Sequence, residues 1–176
     1  APDLTADWGT RIISTNSAHY NAAGYHFGSV WPLFTGWAAV GGYKYHAAGP
    51  AYENLRANAL LALNGSLGHV IEVLSGEYFE SLSTSSPHQI WSAAMVVSPI
   101  LRGMFGLQSD AFAKRVTFAP HVPADWNSFS VTNLHVGQAT IDLKYSRTAD
   151  TVSLEVKASE PCTVAFAPAL SLRTTV

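Results

Sequence analysis

Three carboxylates stand close together in the stretch HVIEVLSGEYFE, residues 69–80: Glu72, Glu77 and Glu80. Glycoside hydrolysis by inversion uses two carboxyl groups. One, protonated, donates to the leaving oxygen, and the other, ionised, activates water on the opposite face of the sugar, about 6.5–9.5 Å away. Glu72 is the most pointed candidate, because Val70, Ile71, Val73 and Leu74 flank it. A carboxylate in so apolar a run is paired, shifted in pKa, or turned into a polar cleft. A structural ion pair or a cap would account for it as plainly as catalysis.

Two further constellations carry aromatic and hydrogen-bonding side chains. GYHFGSVWP, residues 24–32, brings Tyr25, His26 and Trp31 to the mouth of a helix on a glycine-flanked loop. A helix N-terminus there would add N–H donors for hydroxyls or anions, although a structural turn would explain the stretch equally well. SSPHQIWSAAM, residues 85–95, holds His88, Gln89 and Trp91. Spacing places His88 and Trp91 on one face of a first helical turn, with Gln89 beside them offering donor and acceptor groups. Capping of the preceding loop is the competing explanation. The seven histidines show no HxxxH or HxH spacing, so no metal and no cofactor is expected. A serine nucleophile elbow, a P-loop and a dinucleotide fingerprint are also missing.

The elements that must position these groups follow from periodicity. Residues 1–29 are rich in Gly, Asn, Ser, Thr and His and read as loop with a short strand or turn, so the chain is expected to begin within a larger fold. A helix is expected over 31–47, opened by Pro32, with Gly36, Gly41 and Gly42 allowing close helix approach at a cost in propensity of about 1 kcal/mol each. A second helix is expected over 50–63, stopped by Asn64-Gly65. A third is expected from Ser86 as N-cap and Pro87 as first residue to about Val97, kinked at Pro99. After residue 113 the period becomes two: VTFAP, SFSVTNLHV, ATIDLKYSR, TVSLEVKA and CTVAFAP read as about five antiparallel strands. Residues 1–110 and 111–176 are therefore expected to be separate domains.

With 48% hydrophobic and 12% charged residues, the chain is globular rather than disordered. A net charge of −2 without basic blocks argues against nucleic acid as a partner. No apolar run approaches the ~20 residues needed to span a bilayer, so no membrane partner is expected. A single cysteine, Cys162, leaves the redox compartment open, whether cytoplasmic, periplasmic or secreted. Five Trp and seven Tyr, mostly in the first hundred residues, suit stacking on sugars as well as core filling.

The series DWGTR, GYHFGSVWP, IEVLSGE, SPHQIWSAAM and LRGMFGL resembles the last third of the glycogen-debranching-like and mannosylglycerate-hydrolase-like glycoside hydrolases. The resemblance covers residues 7–107 and extends loosely into FAPHVPADW. It implies an α+β multidomain protein in which the C-terminal helices of an (α/α)6 barrel precede an antiparallel β-sandwich. It also implies inverting hydrolysis of O-glycosidic bonds, with α-linked oligosaccharides as substrates. The general base falls on Glu72, although Ile71 stands where the family often has Pro. Trp31, His26, His88, Gln89 and Trp91 become sugar contacts. The family's general acid is an upstream Asp. Asp7 does not match it, so the remaining N-terminal part of the polypeptide, or another chain, is expected to complete the barrel and supply the acid. Two other functions remain compatible with the residues: a noncatalytic carbohydrate-binding or accessory protein using the same aromatics, and an unrelated helical interaction domain with a β module.

Overall fold

The structure is a computed structural model that describes residues 1–168. It is mixed α and β, with three α-helices and three small sheets among the described residues. The chain divides into two compact units, Ala1–Gly103 and Met104–Val176. The division falls several residues before the change of period at about 110.

The first unit opens with a 3-10 turn and a two-residue hairpin, β1 (Thr5–Ala6) and β2 (Gly9–Thr10). Three helices follow: α1 (Pro32–Lys44), α2 (Ala48–Leu61) and α3 (Ile90–Ser98). Pro32 sits at the start of α1, where a missing N–H costs nothing. Two of the three α1 glycines sit at helix crossings. A Cβ on Gly36 would run into Met95 of α3, and one on Gly42 into Ala51 of α2, whereas Gly41 faces open space. Asn58, fully buried on α2, donates from Nδ2 to the carbonyls of Pro32 at 2.8 Å and Met95 at 3.1 Å. One side chain thus ties all three helices together. Three helices do not close a barrel, and they leave Trp37, Ile90 and Val97 exposed.

The third helix begins later than the Ser86-Pro87 signal implies. Residues 86–89 lie outside the helix, and Gln89, itself extended, is the N-cap of α3, its side chain accepting from Ile90 N–H. The cause is tertiary. Glu72 N–H donates to Ser86 O, and Gln89 N–H donates to Val70 O, both at 2.9 Å. This pairing with residues 70–72 overrides the local preference for a helix start. His88 therefore precedes the helix, and the expected shared helical face with Trp91 does not form. At its other end α3 continues into a π-helical turn, Pro99–Met104. Proline lacks the N–H that an α-helical ladder requires, and a π turn is one way to absorb the break.

The described residues of the second unit form six strands: β3 (Gln108–Asp110), β4 (Arg115–Phe118), β5 (Ser128–Val136), β6 (Ala139–Arg147), β7 (Val152–Ala158) and β8 (Thr163–Phe166). They form two sheets, β3-β4-β8 and β5-β6-β7. β6 alternates cleanly, burying Ala139, Ile141, Leu143 and Tyr145 on one face. Phe118 of the first sheet meets Phe129 of the second at 6.0 Å, and Phe129 stacks on Tyr145 at 4.8 Å, so an aromatic layer fills the space between the sheets. The expected all-antiparallel arrangement is corrected at one pair. β4 and β8 run parallel, Val116 facing Val164 and Phe118 facing Phe166. Alternation along a strand gives its two faces but not the direction of its partner, which is why the sequence did not show this.

Candidate functional site

Glu72 is held from both sides by the core. Val70 and Leu74 bury against Leu61 of α2, with Trp8, Ile71, Ala93 and Val96 packed around them. Full burial of such side chains stabilises by about 1.5–3 kcal/mol each. With Val70 and Leu74 anchored, the side chain between them has little freedom. It is 8% exposed.

The three motifs meet through single-residue bridges. Val30 and Leu74 exchange both backbone hydrogen bonds at 2.9 Å, and Arg11 bridges Val30 in turn. Trp8 Nε1 donates to Ser75 O at 2.9 Å and Arg11 Nε to Gly76 O at 2.6 Å, so DWGTR grips the Ser-Gly that follows Glu72. Gly76 is required by packing. A Cβ there would fall on the carbonyl oxygen of Gly28. Gly28 itself has φ +142° and lies against the Tyr20 ring. These close approaches account for glycine at positions 28 and 76.

Both carboxylate oxygens of Glu72 accept hydrogen bonds. Tyr25 Oη donates to Oε1 at 2.8 Å and Ser86 N–H to Oε2 at 3.0 Å. The Ser86 amide does most to hold the carboxyl below its usual pKa. Burial opposes it, and the Tyr25 hydroxyl and the Gln89 side-chain amide add to the lowering. The same contact pushes the Tyr25 hydroxyl up. The ion pairs among the described residues, Arg56–Glu53 and Lys157–Glu155, lie elsewhere. Glu72 is thus kept ionised by neutral donors, and the ion-pair explanation of its apolar setting does not hold.

Tyr25 is positioned by its own loop. Ser29 Oγ donates to Tyr25 O at 2.7 Å, and Trp31 Nε1 donates to that carbonyl and to Ser29 Oγ. The Tyr25 ring packs edge-on to Trp31 at 4.6 Å, and His26 stacks parallel to Trp31 at 5.7 Å. Trp31 is buried and its N–H is engaged, so its visible work is to support Tyr25 and His26. His26 is exposed, with Phe34 and Trp37 continuing the aromatic row along α1.

The sequence-expected residues divide. Glu72, Trp31 and His26 belong to one cluster, joined through Tyr25, and Gln89 adjoins it at Glu72. Trp91 lies on the first turn of α3 and is 41% exposed. His88 instead faces His69, in a cleft whose lining does not include Glu72. Glu77 is exposed, and Glu80 lines that second cleft. Sequence reasoning named Tyr25 and Ser86 but missed that they are the direct hydrogen-bond partners of Glu72. A tyrosine 47 positions away gives no local signal of contact.

No family model matches the chain, and no curated protein matches it.

Proposed function

We propose that this protein hydrolyses O-glycosidic bonds of α-linked oligosaccharides with inversion, Glu72 serving as the general base. One observation carries the reading: the Glu72 carboxylate is nearly buried yet held ionised by Ser86 N–H and Tyr25 Oη, without a cation. A base must be ionised to accept a proton from water, whereas a general acid would need its pKa raised. Neutral donors hold the charge without neutralising it. Tyr25 and the Ser86 amide fix the carboxylate, and exposed His26 offers a ring to a sugar face.

The reading takes the (α/α) barrel as the larger frame. Exposed apolar residues on the helices, Trp37 at 54% and Ile90 at 82%, support burial by further helices. Following the resemblance, the reading draws its general acid, an upstream Asp, from polypeptide outside these residues or from another chain. A second reading, carbohydrate binding without hydrolysis, is favoured by the exposed row of Phe34 and Trp37 beside His26.

The test is hydrolysis of aryl α-glycosides by the polypeptide that carries these residues, comparing Glu72→Gln with Glu77→Gln and Glu80→Gln. Glu72→Gln should lower turnover by about 10²–10⁴-fold while sugar binding persists, and azide should replace water as nucleophile. The other two variants should be mild. Equal turnover in wild type and Glu72→Gln would sink the base assignment. Binding with no turnover in any form would favour the second reading.

A further inference from the structure

Backbone hydrogen bonds pair residues 70–72 with 86–89. Val70 and Glu72 are buried. His69 and His88 line a cleft of about 450 Å³, with Ile71 and Pro87 beside them. The His69 and His88 rings lie with centroids 4.0 Å apart, tilted by 53°. Among the described residues neither ring takes part in a hydrogen bond or ion pair. The backbone is fixed at both positions. His69 N–H donates to Ser66 O, and Ser86 Oγ donates to His88 O.

We propose that His69 and His88 form a two-imidazole site for a divalent transition-metal ion. Imidazole nitrogen suits Cu²⁺, Ni²⁺ and Zn²⁺, and two nitrogens on a tetrahedral or square ion stand about 3 Å apart at the usual metal–nitrogen distance of ~2.0–2.1 Å. Rings at 4.0 Å can present nitrogens at that separation by rotation about their side-chain bonds. The described residues hold no group of three ligating side chains, so water completes the coordination. Glu80, in the same cleft, contributes negative charge to it. A bound ion would pin residue 69 to residue 88, and with them the paired segments that carry Glu72. The site rests on this geometry alone and is independent of the hydrolase reading.

The experiment titrates the untagged 176-residue chain with NiCl2 and CuCl2 at about pH 7.5, by calorimetry and by electron paramagnetic resonance for Cu²⁺. Wild type should bind one ion, Cu²⁺ more tightly than Ni²⁺, with two imidazole nitrogens in the copper spectrum. His69→Ala and His88→Ala should each weaken binding at least about tenfold and to the same extent, and the double variant should lose little more. Both histidines are exposed, so circular dichroism should show every variant folded. His135→Ala, in the other unit, should bind as wild type does. Tight binding that survives either single substitution, or that depends on only one of the two histidines, would overturn the proposal.

Discussion

The Tyr25 hydroxyl and the Ser86 amide each give one hydrogen bond to Glu72, on different oxygens, at 2.8 and 3.0 Å. They come from opposite directions in the chain, one from the loop before α1 and the other from the segment before α3. Removing the first should be graded rather than all-or-none. Tyr25→Phe leaves the ring against Trp31 but takes away one bond to a charged group, a contribution of about 1.5–3 kcal/mol. The Glu72 pKa should rise, because one of the groups that lowers it is gone. If Glu72 is the base, the acidic limb of kcat/KM moves to higher pH. KM for a short substrate should change less than kcat. An unmoved limb would remove Tyr25 from the site.

Gly76 and Gly41 should respond to alanine in opposite ways. At Gly76 a methyl group meets the Gly28 carbonyl, which the Val30–Leu74 bridge prevents from retreating. Gly76→Ala should cost several kcal/mol, about the upper range for a single substitution, and disturb the Glu72 site with it. At Gly41, inside α1, the added methyl group meets nothing, so Gly41→Ala should stabilise by about 0.5–1 kcal/mol. Urea unfolding of the two variants checks both signs at once.

How far the sequence reaches can be seen at particular residues. The Pro32 start of α1, the Ala- and Leu-rich interior and Asn64-Gly65 stop of α2, and the alternation of β6 are local, and the sequence reading finds those elements within a few residues. It also singles out Glu72, because an acid amid valine, isoleucine and leucine is conspicuous. It misplaces the start of α3, because Ser86-Pro87 is a strong local helix signal and the opposing bonds come from Val70 and Glu72, far along the chain. The same error put His88 on a helical face shared with Trp91. The parallel pairing of β4 with β8 was invisible for a similar reason, since no local pattern reports strand direction.

Asn58 is the residue on which the packing of the three helices should depend most. It is fully buried and donates two hydrogen bonds to carbonyls of other elements. Asn58→Ala leaves the Pro32 and Met95 carbonyls without that donor and opens a cavity. The expected loss is about 2–4 kcal/mol, combining unsatisfied polar groups with lost packing. Asn58→Leu should not rescue it, because volume is restored but the donors are not. Full stability in the leucine variant would show that Asn58 merely fills space.

The last expectation concerns acid. Glu72 has a folded-state pKa below its ordinary value of 4.5. A group depressed on folding contributes stability that is complete above the unfolded pKa and is lost as pH falls through the folded one. In Glu72→Gln that contribution is absent at every pH, while the amide keeps the shape of the side chain. The stability gap between wild type and Glu72→Gln should therefore be widest near neutral pH and flat down to about pH 5. Below roughly 4.5 it should close, as wild type takes up the proton that makes its carboxyl resemble the amide. Tyr25 works at the opposite end. Its pKa is raised by the same bond, so its share persists below about pH 10 and disappears as pH rises through the folded value. Denaturant midpoints measured across the acidic range, for both proteins, give the gap directly. A gap that keeps its size from neutral pH down to about pH 3 would mean that the Glu72 carboxylate is not held by its charge, and the geometry around Ser86 and Tyr25 would have to be explained by shape alone.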